Sequence, residues 1–118
     1  MCGISGLFCK STTASIEGAA VLSSMNDRLQ HRGPDGAGLK WFDNTAFGLA
    51  HRRLSIIDLS EKAAQPMYLN ERYWLSFNGE IYNYLELRTE LCALGAVFQS
   101  NSDAEVLLQA YTFGEQTV

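Results

Sequence analysis

The chain has 118 residues, enough for one domain that buries roughly two-thirds of the surface its unfolded form exposes, and too short for several. Its 47% hydrophobic and 19% charged residues match an ordinary folded globular protein and exclude disordered or collagen-like classes. A net charge of −4 without any basic block excludes recognition of nucleic-acid phosphates and points to a small substrate.

From the N-terminus, residues 4–8 read as a short strand bounded by glycine, followed by a polar turn at residues 11–13. Ile16, Ala19, Leu22, Met25 and Leu29 recur at helical spacing, which predicts a helix with one apolar stripe. It stops before His31-Arg32-Gly33-Pro34-Asp35-Gly36, where proline and glycine enforce a loop. Residues 39–57 change to strand-like apolar and aromatic runs, broken at a hairpin tip at Asp43-Asn44, and residues 73–77 form another strand. Asn83 and Glu86 have the spacing of an N-cap and its reciprocal partner. Tyr84, Leu87, Leu91 and Leu94 then share one helical face, and Gly95 supplies the C-cap. Ser102 and Glu105 repeat the capping spacing before Val106, Leu107, Ala110 and Tyr111. Strands follow one another between residues 39 and 77 without intervening helices, so the fold class is α+β with mainly antiparallel sheets.

The cysteines Cys2, Cys9 and Cys92 are odd in number and lack CxxC spacing, so neither a disulfide framework nor a zinc ribbon is expected, and a reducing cytoplasm fits. No stretch approaches the roughly 18 apolar residues of a membrane span, and no basic and apolar leader opens the chain, so neither membrane crossing nor export is expected. No His/Cys/Asp/Glu cluster stands at metal-ligand offsets, and no metal is expected.

Cys2 directly follows Met1, and once Met1 is removed its α-amine can serve as the base for its own thiol. The unperturbed values, about 8 for the amine and about 8.5 for the thiol, make both protonation states accessible near neutrality. The bland alternative is a small apolar residue opening a strand. Asn78-Gly79 reads in two ways: as a tight hairpin turn, or as an amide and a backbone N–H converging on an oxyanion. At the end of Ala50-His51-Arg52-Arg53, a guanidinium could grip a carboxylate through paired hydrogen bonds, and periodicity does not separate Arg52 from Arg53. Asp103 suits the first turn of a helix or a substrate ammonium, and Glu80 suits solvent or the same pocket. His31 fits a structural hydrogen bond. His51, beside two arginines, is expected to have a lowered pKa, and a Cys/His hydrolase using it is the third reading.

Taken together and in order, Cys2-Gly3-Ile4, His31-Arg32-Gly33-Pro34-Asp35, the run from Ala50 through Asp58, Gln65-Pro66, the run from Phe77 through Asn83, and Ser102-Asp103-Ala104-Glu105 resemble class II glutamine amidotransferases. These are N-terminal nucleophile enzymes, and the similarity is greatest to the glutaminase domain of glutamine-hydrolysing asparagine synthetases, over residues 2 to about 113. The resemblance implies an αββα sandwich of antiparallel sheets, incomplete at the C-terminus. Residues 1–118 would then be the N-terminal portion of a type-2 glutamine amidotransferase domain, without the synthetase domain. It implies that Cys2 attacks the side-chain amide of L-glutamine, with Asn78 and Gly79 as the oxyanion hole. By the same resemblance Arg53 binds the α-carboxylate, Asp103 holds the α-ammonium, and Ile57 and Glu80 line the pocket.

The implied activity is glutamine hydrolysis to glutamate and ammonia through a Cys2 thioester, serving a ligase of amino-acid biosynthesis. The implied partner is an ammonia-accepting synthetase domain or subunit. No cofactor is implied in this domain, ATP and Mg being expected only in the separate synthetase. A homo-oligomer is compatible with this picture. The alternative is a catalytically silent fragment that binds glutamine or a partner subunit, suggested by the short C-terminus and the presence of Met1.

Overall fold

The computed structural model describes residues 1–10 and 15–116, so the polar turn expected at residues 11–13 lies outside the described residues. Strands β1 (Gly3–Phe8), β2 (Gly36–Phe42) and β3 (Phe47–Arg53) form one antiparallel sheet with β3 in the middle. The turn between β2 and β3 contains the expected Asp43-Asn44 tip. Alternation along β3 sends Gly48, Ala50 and Arg52 to one face and Phe47, Leu49, His51 and Arg53 to the other.

Helix α1 (Ser15–Arg28) covers the first of these faces. It lies close because glycine leaves room. A Cβ on Gly48 would sit 2.4 Å from the Trp41 ring and 2.6 Å from Leu22, which is fully buried beneath the helix. Of the expected stripe, Leu22 is buried, Ala19 and Leu29 are half-buried and the Ile16 side chain lies outside the described residues; Gly18 and Asn26 are buried where Ala19 and Met25 were expected, with Met25 36% and Asn26 4% exposed. Facing inward, Asn26 donates from Nδ2 to the Gly38 carbonyl at 3.3 Å, while its Oδ1 is buried without a partner; its backbone carbonyl accepts from Arg52 Nε at 2.9 Å.

A second antiparallel sheet consists of β4 (Met67–Leu69) and β5 (Tyr73–Leu75). Residues 70–72 join the two strands, and Asn70 and Glu71 both have φ of 55°, a left-handed pair that makes the turn tight, with the Arg72 N–H on the Leu69 carbonyl at 3.3 Å. Sequence reasoning missed β4, since Asn-Glu lacks the glycine that usually marks such a turn. Trp74 packs edge-on against Phe42 at 5.6 Å between ring centres, joining the second sheet to the inner face of the first.

Helix α3 (Asp103–Gln116) lies over the second sheet and against α2 (Tyr84–Ala93). Ala104 and Leu108 pack on Met67 with Leu69, Tyr73 and Leu75 around them, while Val106 packs on Leu91 and Ala96. The layers therefore run helix, sheet, sheet, helices, an α+β fold with antiparallel sheets. The second sheet is narrower than the first, and Ile4 and Phe8 on the inner face of β1 remain 49% and 67% exposed.

Helix ends follow the sequence in part. Gly95 has φ of 102°, its N–H reaches the Cys92 carbonyl at 3.0 Å, and the Ala96 N–H reaches Leu91 at 2.9 Å. These two bonds make a Schellman C-cap. Asn83 caps nothing with its side chain: its φ of −98° and ψ of 28° depart from the extended conformation that aims a cap back at the first turn. Of the expected α2 face, Leu94 is 67% exposed because it is already the C-cap residue.

Two strands end earlier than predicted. β3 stops at Arg53 because Leu54 turns its N–H to Cys2 Sγ and Ser55 turns its N–H to Asp35. β5 stops at Leu75, after which side chains take over the backbone partners of Phe77. Among the described residues no strand follows Asn78-Gly79, so the hairpin reading of that pair is corrected to a loop leading into α2.

Candidate active site

The ends of β1 and β3, the segment after β5 and the start of α3 converge on a cavity of about 410 Å³. All seven candidate site residues line it: Cys2, Arg53, Ile57, Asn78, Gly79, Glu80 and Asp103. The volume lies within the roughly 300–1,000 Å³ typical of small-molecule pockets.

Cys2 immediately precedes β1, where Arg32 Nε donates to its carbonyl at 3.3 Å. Its Sγ accepts the Leu54 N–H at 3.3 Å and donates to the Leu54 carbonyl at 3.6 Å. The thiol is thereby docked where β3 leaves the sheet. Arg32 can reach it because Gly33 lets the loop lie on β3: a Cβ there would stand 2.4 Å from the Arg52 carbonyl carbon. Met1, 71% exposed, also borders the cavity.

Strand alternation separates the two arginines that spacing left equivalent. Arg52 turns to α1, paired with Asp27 at 3.0 Å, while Arg53 turns to the cavity. Arg53 donates to the Ser60 carbonyl at 2.7 Å and to the Asp58 carbonyl. A guanidinium carries five N–H donors, so others remain for a ligand.

Asp103 begins α3 and is 8% exposed, with one carboxylate oxygen accepting the Ile81 N–H at 3.0 Å. That bond ties the loop after Asn78-Gly79 to the helix, and the helix N-terminus favours the negative charge. Gly79 packs on Phe77, where a Cβ would come within 2.7 Å of the ring. A cation and a carboxylate on separate elements of one cavity suit a zwitterion.

His51 is buried, and burial is the main cause holding its pKa below 6.5. A hydrogen bond to the Phe77 carbonyl opposes this and Arg53 reinforces it, so the arginine effect expected from sequence is the smaller one. Its Nε2 meets that carbonyl at 3.1 Å and its Nδ1 has no partner, so neither nitrogen bonds Cys2 and the Cys/His reading loses its basis. His31 makes the expected structural bond, Nδ1 to the Arg28 carbonyl at 3.0 Å.

Sequence reasoning gave no role to Asp58, which joins the two sides of the cavity. Its carboxylate accepts the Ser60 N–H at 2.7 Å and the Asn101 N–H at 2.7 Å. Hydrogen bonds from Ser60 and Asn101, with Arg53 nearby, hold the carboxyl down at about 2. The spacing Asp58-Leu59-Ser60 is an Asx-turn signature that could have revealed the first of these bonds.

A family model described as a glutamine amidotransferase domain matches residues 1–118. The chain belongs to that family. Glutamine-hydrolysing asparagine synthetase 1 of Bacillus subtilis (strain 168) is 48% identical over 113 residues, covering 94% of this chain and 17% of that protein. Asparagine synthetase B of Escherichia coli (strain K12), also named glutamine-hydrolysing, is 41% identical over 112 residues, covering 94% of this chain and 19% of its own length. A probable asparagine synthetase of Dictyostelium discoideum is 41% identical over 118 residues, covering 94% of this chain and 20% of its own length. The glutamine amidotransferase domain described here thus spans a fifth or less of these curated relatives. No helix among the described residues is long and apolar enough to cross a membrane.

Proposed function

We propose that this glutamine amidotransferase domain hydrolyses L-glutamine to glutamate and ammonia through a γ-glutamyl thioester on Cys2. After removal of Met1, the freed α-amine takes the thiol proton as Cys2 Sγ attacks the side-chain carbonyl carbon. Asn78 and the Gly79 N–H hold the oxyanion of the tetrahedral intermediate. Its collapse expels the amide nitrogen, which leaves as ammonia with the proton carried by the amine. Water then attacks the thioester, releasing glutamate and returning the thiol. Arg53 grips the α-carboxylate, Asp103 the α-ammonium, and Ile57 and Glu80 border the substrate between them.

The observation that carries this reading is that Cys2, Asn78-Gly79, Arg53 and Asp103 border a single cavity. The ammonia acceptor is a carboxylate handled by a separate synthetase domain or subunit, where ATP and Mg would act. The domain's own residues supply nucleophile, base and charge clamp without a cofactor.

Ammonia release, measured with the intact mass of the same protein, tests the reading. Protein lacking Met1 is expected to hydrolyse glutamine and to gain one covalent adduct from an electrophilic glutamine analogue, while Cys2→Ala and Met1-retaining protein do neither. Glutamine binding without ammonia release from Met1-free protein would instead support the silent, glutamine-binding alternative.

A further inference from the structure

Phe77 immediately precedes Asn78-Gly79, and side chains from two other segments hold both of its backbone polar groups. Its N–H donates to Gln65 Oε1 at 2.6 Å, and its carbonyl meets His51 Nε2 at 3.1 Å. A carbonyl only accepts, so Nε2 carries the proton. His51 is 1% exposed, and it and Gln65 border the same cavity as Asn78 and Gly79. One residue earlier, Ser76 Oγ donates to the Ala50 carbonyl at 3.2 Å. The ladder of β5 has ended at Leu75, so side chains do here what a neighbouring strand would otherwise do.

The arrangement depends on a glycine. Gly38 of β2 is the cross-strand partner of His51, and a Cβ on Gly38 would lie 1.9 Å from the Gln65 carbonyl oxygen. The missing side chain leaves the space in which the Gln65 backbone crosses the inner face of the sheet, beside His51 and within reach of Phe77. Peptide units are planar. Pinning the N–H of Phe77 fixes the unit before its Cα, and pinning its carbonyl fixes the unit after it. The first free torsions beyond the two anchors belong to Asn78.

We infer that Gln65 and His51 are positioning residues that aim the Asn78 amide and the Gly79 N–H at the reacting carbonyl. The inference rests on the glutaminase reading. It gives the Gln65-Pro66 motif a task, and it gives His51 one that involves no proton transfer to Cys2. Neither residue grips the α-amino acid portion of the substrate, which lies with Arg53 and Asp103, so losing either anchor acts on turnover more than on binding. Misplacing a catalytic group by about 1 Å costs on the order of a hundredfold in rate.

Steady-state glutamine hydrolysis by Met1-free protein tests this with Gln65→Met, His51→Leu, Gly38→Ala and His51→Gln. The first three are expected to lower kcat by about tenfold to a hundredfold while glutamine KM changes less than about threefold. His51→Gln, which keeps an N–H donor, should recover most of the loss. Amide hydrogen exchange at Phe77 should quicken in Gln65→Met, with the core amides of α3 still protected. Gln65→Met removes the Oε1 acceptor and the amide NH2 while keeping the side-chain length, and decides the matter if His51→Leu fails to fold. Wild-type turnover with kcat unchanged in Gln65→Met, or with KM rising as far as kcat falls, would overturn this inference alone. Absence of turnover in Met1-free wild type would overturn the glutaminase reading and this inference with it.

Discussion

Arg52 and Arg53 are neighbours in sequence with opposite environments, and the separation comes from the pleat of β3 alone. The guanidinium of Arg53 serves two loop carbonyls and keeps donors facing the cavity, a task that needs a fork and not a point charge. Arg53→Ala is expected to raise glutamine KM about 10- to 100-fold, since hydrogen bonds to charged groups are worth about 1.5–3 kcal/mol. Arg52→Ala should leave KM unchanged and lower stability by about 1–2 kcal/mol, through loss of the bond to Asn26 and the pair with Asp27. Ammonia-release kinetics and urea denaturation on the two variants separate these outcomes. Cys2, Asn78, Gly79 and Asp103 were picked out of the sequence by the resemblance, since residue type and position alone left a structural reading open for each. Gln65 and Asp58 received no individual role: the partner of Gln65 and one partner of Asp58 are backbone amides of distant segments, which leave no trace in residue type, and only the Asp58 bond to Ser60 is local.

Individual elements show where local signals suffice and where they mislead. The Gly95 cap of α2 was readable because only a residue tolerant of positive φ suits it. At α3 the capping pair was right and half of its bonding was not. The Glu105 N–H meets Ser102 Oγ at 3.2 Å as expected, yet the Glu105 carboxylate accepts the N–H groups of Gln99 at 2.8 Å and Ser100 at 2.7 Å. The loop entering α3 brings those amides to the carboxylate first.

That same entry is tied to the loop after β3 by Asp58, whose pKa falls from 3.8 to about 2 on folding. A depressed carboxylate stabilises the fold above 3.8, and its contribution is lost as pH falls through about 2. Thermal unfolding followed from pH 5 to pH 2 should therefore show a shallower decline in Tm for Asp58→Asn than for the unmodified chain. Packing makes a separate prediction. Leu108, 5% exposed between α3 and β4, should cost about 2–5 kcal/mol when cut to alanine, measured by urea denaturation.

Across the whole molecule, the helix, sheet, sheet, helices order puts α1 outside the wider sheet and α3 outside the narrower one. The inner face of β1 is the part of the sandwich that the second sheet does not reach, and β1 is an edge strand. Exposed apolar edge strands promote association between chains. Phe8→Lys is expected to change stability by no more than about 0.5 kcal/mol in urea denaturation, as for other surface positions.

The sequence by itself determined the α+β class, the helices and most strands and the Gly95 cap, and its family resemblance pointed to the candidate nucleophile, oxyanion donors and charged clamp. The elements and the cap follow from periodicity and turn chemistry, which act over a few residues, whereas the candidate roles come from the ordered motifs that carry the resemblance. Only the tertiary structure showed how the pleat of β3 turns Arg53, the arginine that the resemblance singled out, to the cavity and Arg52 away from it, that Asn78-Gly79 opens a loop instead of a hairpin, and that Gln65, His51 and Asp58 hold the cavity walls. Each of those outcomes depends on which distant backbone groups are brought within hydrogen-bond range when the two sheets pack, and no local pattern encodes that distance.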